Sequence, residues 1–138
     1  MKRYMLDTNT VSHLIKAHPA VVGRMVSVPM SSLCISAITE GELLFGLAKR
    51  PEAKQLHLVV TEFLRRVDVL PWDSTVAQRY GPMRARLQEQ GKSLAPLDLL
   101  IAAHAFHAGM VLVTNDRAFS QVAGLDLEDW TVPVNEIR

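Results

Sequence analysis

The chain has 138 residues, 49% of them hydrophobic and 21% charged, with 15 Lys and Arg against 14 Asp and Glu for a formal net charge of +1. That is enough apolar material for the core of one domain over 1–138, and the balance excludes an intrinsically disordered chain. No apolar stretch approaches the roughly 20 residues that a membrane-spanning helix needs, and no apolar core of a signal peptide follows Met1-Lys2-Arg3.

Tyr4-Met5-Leu6 is a short apolar run that stops on Asp7-Thr8-Asn9-Thr10, after which Val11 to Lys16 carries apolar residues at helical spacing. This pattern predicts strand, loop and helix. His18-Pro19 breaks the helix, and Ala20–Val26 predicts a second short one. Past Pro29, Leu33-Cys34-Ile35 predicts a buried strand. The single Cys34 can form no internal disulfide and reads as a small core residue, which fits a reducing cytoplasm. Ser36 opens a long helical pattern from Ala37 to Arg50, closed by Pro51, and a further helix spans about Glu52 to Arg66. Val67–Leu70 predicts a third strand, and Asp73-Ser74 starts a helix running towards Gln90, with a kink or break expected at Gly81-Pro82. Pro96 and Gly109 bracket the next helix. Met110–Thr114 predicts a strand, followed by Asn115-Asp116-Arg117, a short helix around Phe119 and a strand-like piece near Leu125 to Val132. Strands separated by helices, with no Gly-rich hairpin signals, predict one α/β domain built on a mainly parallel sheet covered on both faces.

Four acids stand out against this frame. Asp7 and Asp116 each follow an apolar strand and precede a helix, so both fall on the carboxyl edge of the sheet, where α/β proteins bind ligands. Asp98 lies in the first turn of the helix opened by Pro96, on a stripe with Ile101, Ala102 and Ala105, where an isolated carboxylate is costly. First-turn acids also stabilise a helix by about 0.3–1 kcal/mol, so Asp98 alone has a purely structural reading as well. The helix after Ser36 carries Glu40 and Glu42, and the helical wheel does not choose between them. Carboxylates gathered at one edge repel each other and call for a cation. Oxygen-only ligation suits Mg²⁺ or Mn²⁺, which in turn suits metal-assisted hydrolysis of phosphodiesters.

The segments Leu6-Asp7-Thr8-Asn9, Ile35-Ser36-x-Ile38-Thr39-x-x-Glu42-Leu43-x-x-Gly46, Pro96-x-Asp98-x-x-Ile101-Ala102-Ala103-x-Ala105 and Leu112-Val113-Thr114-Asn115-Asp116-x-x-Phe119 resemble, in order and spacing, the motifs of PIN-domain ribonucleases. The likeness is greatest to the VapC-type toxins of type II toxin–antitoxin systems. It implies a PIN-like three-layer fold with a five-stranded, mainly parallel sheet, Mg²⁺-dependent endoribonuclease activity, a homodimer, and inhibition by a cognate VapB-type antitoxin in a toxin–antitoxin hetero-oligomer. It also selects Glu42 over Glu40. It makes Asp7 and Asp98 the principal metal ligands, with Glu42 and Asp116 completing the catalytic acids directly or through water. Asn9, Thr114 and Asn115 would orient the carboxylates by hydrogen bonding. Relatives of enterobacterial type cut initiator tRNA in the anticodon loop, which is the expected substrate. On its own stretch Asp7 or Thr8 also reads as a simple helix N-cap. With three other acids able to reach the same edge, Asp7 is expected to ligate metal first, leaving Thr8 or Asn9 to cap the helix.

Setting the four site acids aside leaves 10 acidic residues against 15 Lys and Arg, a remainder of about +5 that suits an RNA partner. Arg79, Arg84, Arg86 and Lys92 near Gly81-Pro82, with Arg117 beside Asp116, are candidate phosphate contacts; Arg117 is the preferred one, and the others read mainly as a solvated face. His104 and His107 lack a carboxylate to complete a zinc motif, and Trp72 and Trp130 read as core or interface residues. A phosphatase using Asp7 as nucleophile would want a second acid where Asn9 stands. The remaining alternative is a PIN-like scaffold that binds RNA or protein without cutting.

Overall fold

The computed structural model describes residues 2–133, so the expected domain over 1–138 reaches beyond the described residues at both ends. Five strands, β1 (Tyr4–Leu6), β2 (Leu33–Ser36), β3 (Asp68–Leu70), β4 (Val111–Val113) and β5 (Leu127–Glu128), form one sheet in the order β3-β2-β1-β4-β5. Every neighbouring pair is parallel. The helices are α1 (Thr8–Ile15), α2 (Pro19–Val26), α3 (Ala37–Ala48), α4 (Lys54–Arg66), α5 (Ser74–Glu89) and α6 (Pro96–Ala108). Among the described residues no helix is long and apolar enough to cross a membrane.

The inner strands are buried at every position and, Ser36 at the end of β2 aside, apolar, because both of their faces are covered. Successive strand side chains point to opposite faces, and the core divides accordingly. Met5, Cys34 and Leu112 pack with Met83 and Leu87 of α5 and Ala102 and Ala105 of α6. Tyr4, Leu6, Leu33, Ile35, Val111 and Val113 pack with residues of the other four helices, among them Val11, Val21, Leu43 and Val60. The result is three layers, with α5 and α6 on one face and α1 to α4 on the other.

Two sequence features end elements as predicted. Pro96 is the first residue of α6, and Gly109 ends it in the left-handed region at φ 66, where a side chain would be strained. Small residues keep α6 slim: Ala102, Ala103 and Ala105 are fully buried, so the helix lies close to both the sheet and α5.

Of the kink or break expected at Gly81-Pro82, the break is absent, for α5 is one helix through Pro82. Gly81 has no Cβ to clash with the proline ring, and Gln78, whose carbonyl loses its amide partner, is exposed and open to water. The last strand is also shorter than the predicted Leu125–Val132 segment, pairing with β4 only through Leu127 and Glu128.

Candidate active site at the carboxyl edge

All five strands point one way, so the segments that leave them share one edge of the sheet. The strand order reverses at central β1, with β2 on one side and β4 on the other, and such a switch point opens a crevice. The Asp7 amide donates to the Val113 carbonyl (3.1 Å), and the Thr10 hydroxyl donates to the same oxygen (2.9 Å). These bonds tie the loop after β1 to the end of β4.

Asp7 is buried and extended (φ −78, ψ 172), and its Oδ1 accepts from the Thr10 amide at 2.8 Å. Asp7 itself therefore caps α1, the structural reading its own stretch offered, and the expectation that Thr8 or Asn9 would take that place is corrected. Asp116 works in the same way: its Oδ1 accepts from the Ala118 amide (2.9 Å) and opens the short 3-10 helix Arg117–Gln121. Glu42, on α3, accepts at Oε1 from the Thr8 hydroxyl (2.6 Å), and Thr8 also lies 3.3 Å from the Thr39 hydroxyl. In all three acids one oxygen serves local structure while the carboxylate remains at the edge. Asp98 differs. It stands half-buried in the first turn of α6, and among the described residues nothing hydrogen-bonds its carboxylate.

Electrostatics show the four acids bearing on one point. Burial pushes the Asp98 carboxyl above the ordinary aspartate range, and the negative charges of Asp116, Asp7 and Glu42 push it further in the same direction. Burial also raises Asp7; hydrogen bonding by Thr114 and Thr10 works against that, while the charge of Asp116 adds to it. The Thr114 hydroxyl oxygen accepts from the Asp116 amide at 3.0 Å, leaving its proton free for a carboxylate. Among the described residues the ion pairs use Glu62, Asp68 and Glu128 as their acids, so none of these four is neutralised by a cation.

Among the described residues no three acidic, histidine or cysteine side chains stand close enough to cage a metal ion by themselves. The donor set still fits a hard divalent cation. It offers only oxygen, it lacks a counter-charge, and Mg²⁺ normally takes one or two protein carboxylates and keeps several waters. A full protein cage is not needed.

Other expected positions fall as follows. Asn9, Asn115 and Arg117 are exposed, and among the described residues neither amide side chain hydrogen-bonds one of the four carboxylates. Thr8, expected only as a cap, and Thr10, which sequence reasoning passed over, make those contacts instead. Their signal was the alternation of hydroxyls directly after Asp7, which reads equally well as capping. Glu40 lies in the first turn of α3, and its neighbour Glu42 is the one joined to Thr8. His104 is buried, with Nδ1 2.7 Å from the Ser36 hydroxyl, and burial lowers its pKa; it links α6 to the start of α3.

Comparison with known proteins agrees with this geometry. The family model for the PIN domain matches residues 4–125. The tRNA(fMet)-specific endonuclease VapC of Shigella flexneri is 39% identical over 132 residues, covering 95% of this chain and 100% of the relative. Its namesake from Salmonella typhimurium is 38% identical over 131 residues, 94% and 99% of the two chains. The crystal structure of DNA-bound VapBC from Salmonella typhimurium aligns with a TM-score of 0.87 at 38% identity, covering 94% of this chain and 99% of that one. With a parallel five-stranded sheet, an acidic carboxyl edge and relatives matched along nearly their whole length, this chain belongs to the PIN-domain family, among its VapC ribonucleases.

Proposed function

We propose that the chain is an Mg²⁺-dependent endoribonuclease toxin of the cytoplasm, a single domain that hydrolyses RNA phosphodiester bonds at the edge around Asp7. The observation that carries this reading is that Asp7, Glu42 and Asp116 all bear on Asp98 with no ion pair to any of the four among the described residues. Like charges held together and partly out of water are costly unless a cation compensates them. Asp7 and Asp98 hold the cation, while Glu42 and Asp116 complete the acidic pocket and orient water by accepting its protons. A divalent ion bound there offsets the carboxylate charge and lowers the pKa of water at the site, and Mn²⁺ can replace Mg²⁺. Thr8, Thr10 and Thr114 steady the acids, Asn9 and Asn115 orient the water beside them, and Arg117 receives a phosphate.

The substrate we assign is initiator tRNA, cut in the anticodon loop, in keeping with relatives named for tRNA(fMet). The chain acts as a homodimer and is silenced in a hetero-oligomer with a small VapB-type antitoxin, whose basic residue enters the same acidic pocket. The test is cleavage of purified initiator tRNA by antitoxin-free protein. Mg²⁺ is expected to support cleavage, EDTA to stop it, and Asp98→Asn to lower it at least about a thousandfold while folding and dimerisation persist. Undiminished cleavage in EDTA overturns the mechanism, and no cleavage of any RNA by the folded protein favours a binding scaffold.

A further inference from the structure

The acidic edge repels the polyanion it is meant to cut, so cations nearby must hold the RNA. On the described chain Arg79, Arg84 and Arg86 of α5 and Lys92 just beyond it are exposed, and none of them is in an ion pair among the described residues. Free surface cations alone would mean little. These four, however, line two adjoining hollows with apolar floors. In one, of about 280 Å³, Arg79, Arg86 and Gln121 surround Met83, Leu87 and Phe106. In the other, of about 150 Å³, Arg84, Lys92 and Tyr80 surround Leu87, Pro96 and Leu99.

Leu87 is common to both, so the hollows form one strip, and the second reaches Pro96 and Leu99, which share the first turn of α6 with Asp98. The Arg79 guanidinium lies over the Phe106 ring, 5.2 Å from its centroid, and the Arg84 guanidinium donates to the Tyr80 hydroxyl at 2.9 Å. Guanidinium planes and aromatic rings over an apolar floor are what unstacked bases settle on, while the free N–H groups suit phosphates. The hollow on the other flank, beside Asp116, sets Asp116, Glu128 and Asp129 against Arg117 as the one cation of its lining and offers a polyanion far less.

We propose that the α5 strip from Lys92 and Arg84 to Arg79 and Arg86 is the RNA-binding track, carrying the single-stranded part of the substrate away from Asp98. This rests on the nuclease reading above. It is tested with two double variants, Arg79→Gln/Arg86→Gln and Arg84→Gln/Lys92→Gln, beside a control, Arg65→Gln/Arg66→Gln, that removes cations of α4. In an Asp98→Asn background, affinity for a fluorescein-labelled single-stranded oligoribonucleotide is measured by anisotropy against salt. Each strip variant is expected to bind about tenfold more weakly, with the log–log salt slope shallower by about 1.4 for two lost contacts, and the control to change neither. In the Asp98-intact protein the same substitutions raise KM for initiator tRNA and leave kcat near its original value. Unchanged affinity and slope in a chain that cleaves RNA overturn the track while the nuclease reading stands. Variants that keep RNA affinity but lose antitoxin binding or self-association assign the strip to protein contact and overturn it equally. Absence of any RNA cleavage by wild-type protein defeats the nuclease reading itself.

Discussion

Asp7 has two duties that substitution can separate. Its Oδ1 holds the buried amide of Thr10, and its charge belongs to the acidic edge. Asp7→Ala removes both. Losing an N-cap costs roughly 0.5–2 kcal/mol. Thr10 is only 2% exposed, so its amide would be stranded away from water and the upper part of that range, about 1–2 kcal/mol, applies. For a chain of this size that lowers Tm by about 3–10 °C. Asp7→Asn keeps an acceptor oxygen and removes only the charge. Burial holds the Asp7 carboxyl above its ordinary pKa, so the fold favours the protonated form. That stabilisation is full in acid and is lost as pH rises through the folded-state pKa. In chelator at neutral pH the Asn variant is therefore expected to equal or exceed wild type in stability, and the Ala variant to fall below both. Both variants lose RNA cleavage. Urea unfolding in EDTA, run beside a cleavage assay, reads the two duties independently. Equal stability of the Ala and Asn variants refutes the cap, and retained cleavage in Asp7→Asn refutes the role of the charge.

Three further outcomes follow from the geometry. Thr8→Val keeps the shape but removes the hydroxyl that holds Glu42, so kcat is expected to fall about ten- to a hundredfold and Thr8→Ser to restore it; a Ser variant as slow as Val shows that the methyl matters instead. Burial alone would raise the pKa of Glu128. Hydrogen bonds from Trp130 (3.0 Å) and Lys2 (2.9 Å), with the charge of Arg24, outweigh it and hold the group below the usual glutamate range. Its contribution is present above the unfolded-state pKa and lost as pH falls through the folded one, so Glu128→Gln is expected to be less stable at neutral pH and to have a flatter acid limb in thermal unfolding. Pro82→Ala returns an amide to the Gln78 carbonyl in exposed α5, and a gain of about 1–3 kcal/mol in urea unfolding is expected, whereas a loss would mean that the proline's packing outweighs the missing bond.

Local chemistry made much of the fold readable before any coordinates. Pro96 and Gly109 mark the ends of α6 because each acts through its own backbone, and the apolar strands announce a sheet buried on both faces. Pairing was another matter. The order β3-β2-β1-β4-β5 depends on contacts such as Tyr4 with Val111, which no local pattern encodes. At the edge, Asp7 and Asp116 were legible as acids between strand and helix, but their pattern could not say that one carboxylate both caps and carries charge. Glu42 could not be told from Glu40 on a wheel, because what distinguishes it is the Thr8 hydroxyl from another segment. No break follows at Gly81-Pro82 because a proline's cost depends on who needs the lost hydrogen bond, and Gln78 faces water.

The parallel pairing of β1 with β4 has a consequence for when this protein becomes dangerous. Strands that begin at Tyr4 and Val111 can join only after most of the chain has left the ribosome, and Asp98 and Asp116 are late to emerge as well. A nascent chain that has reached α5 carries Asp7 and Glu42 but neither their partner acids nor the central pair of strands. With the nuclease site proposed at these four acids, cleavage can begin only once Asp116 and β4 have emerged, late in synthesis.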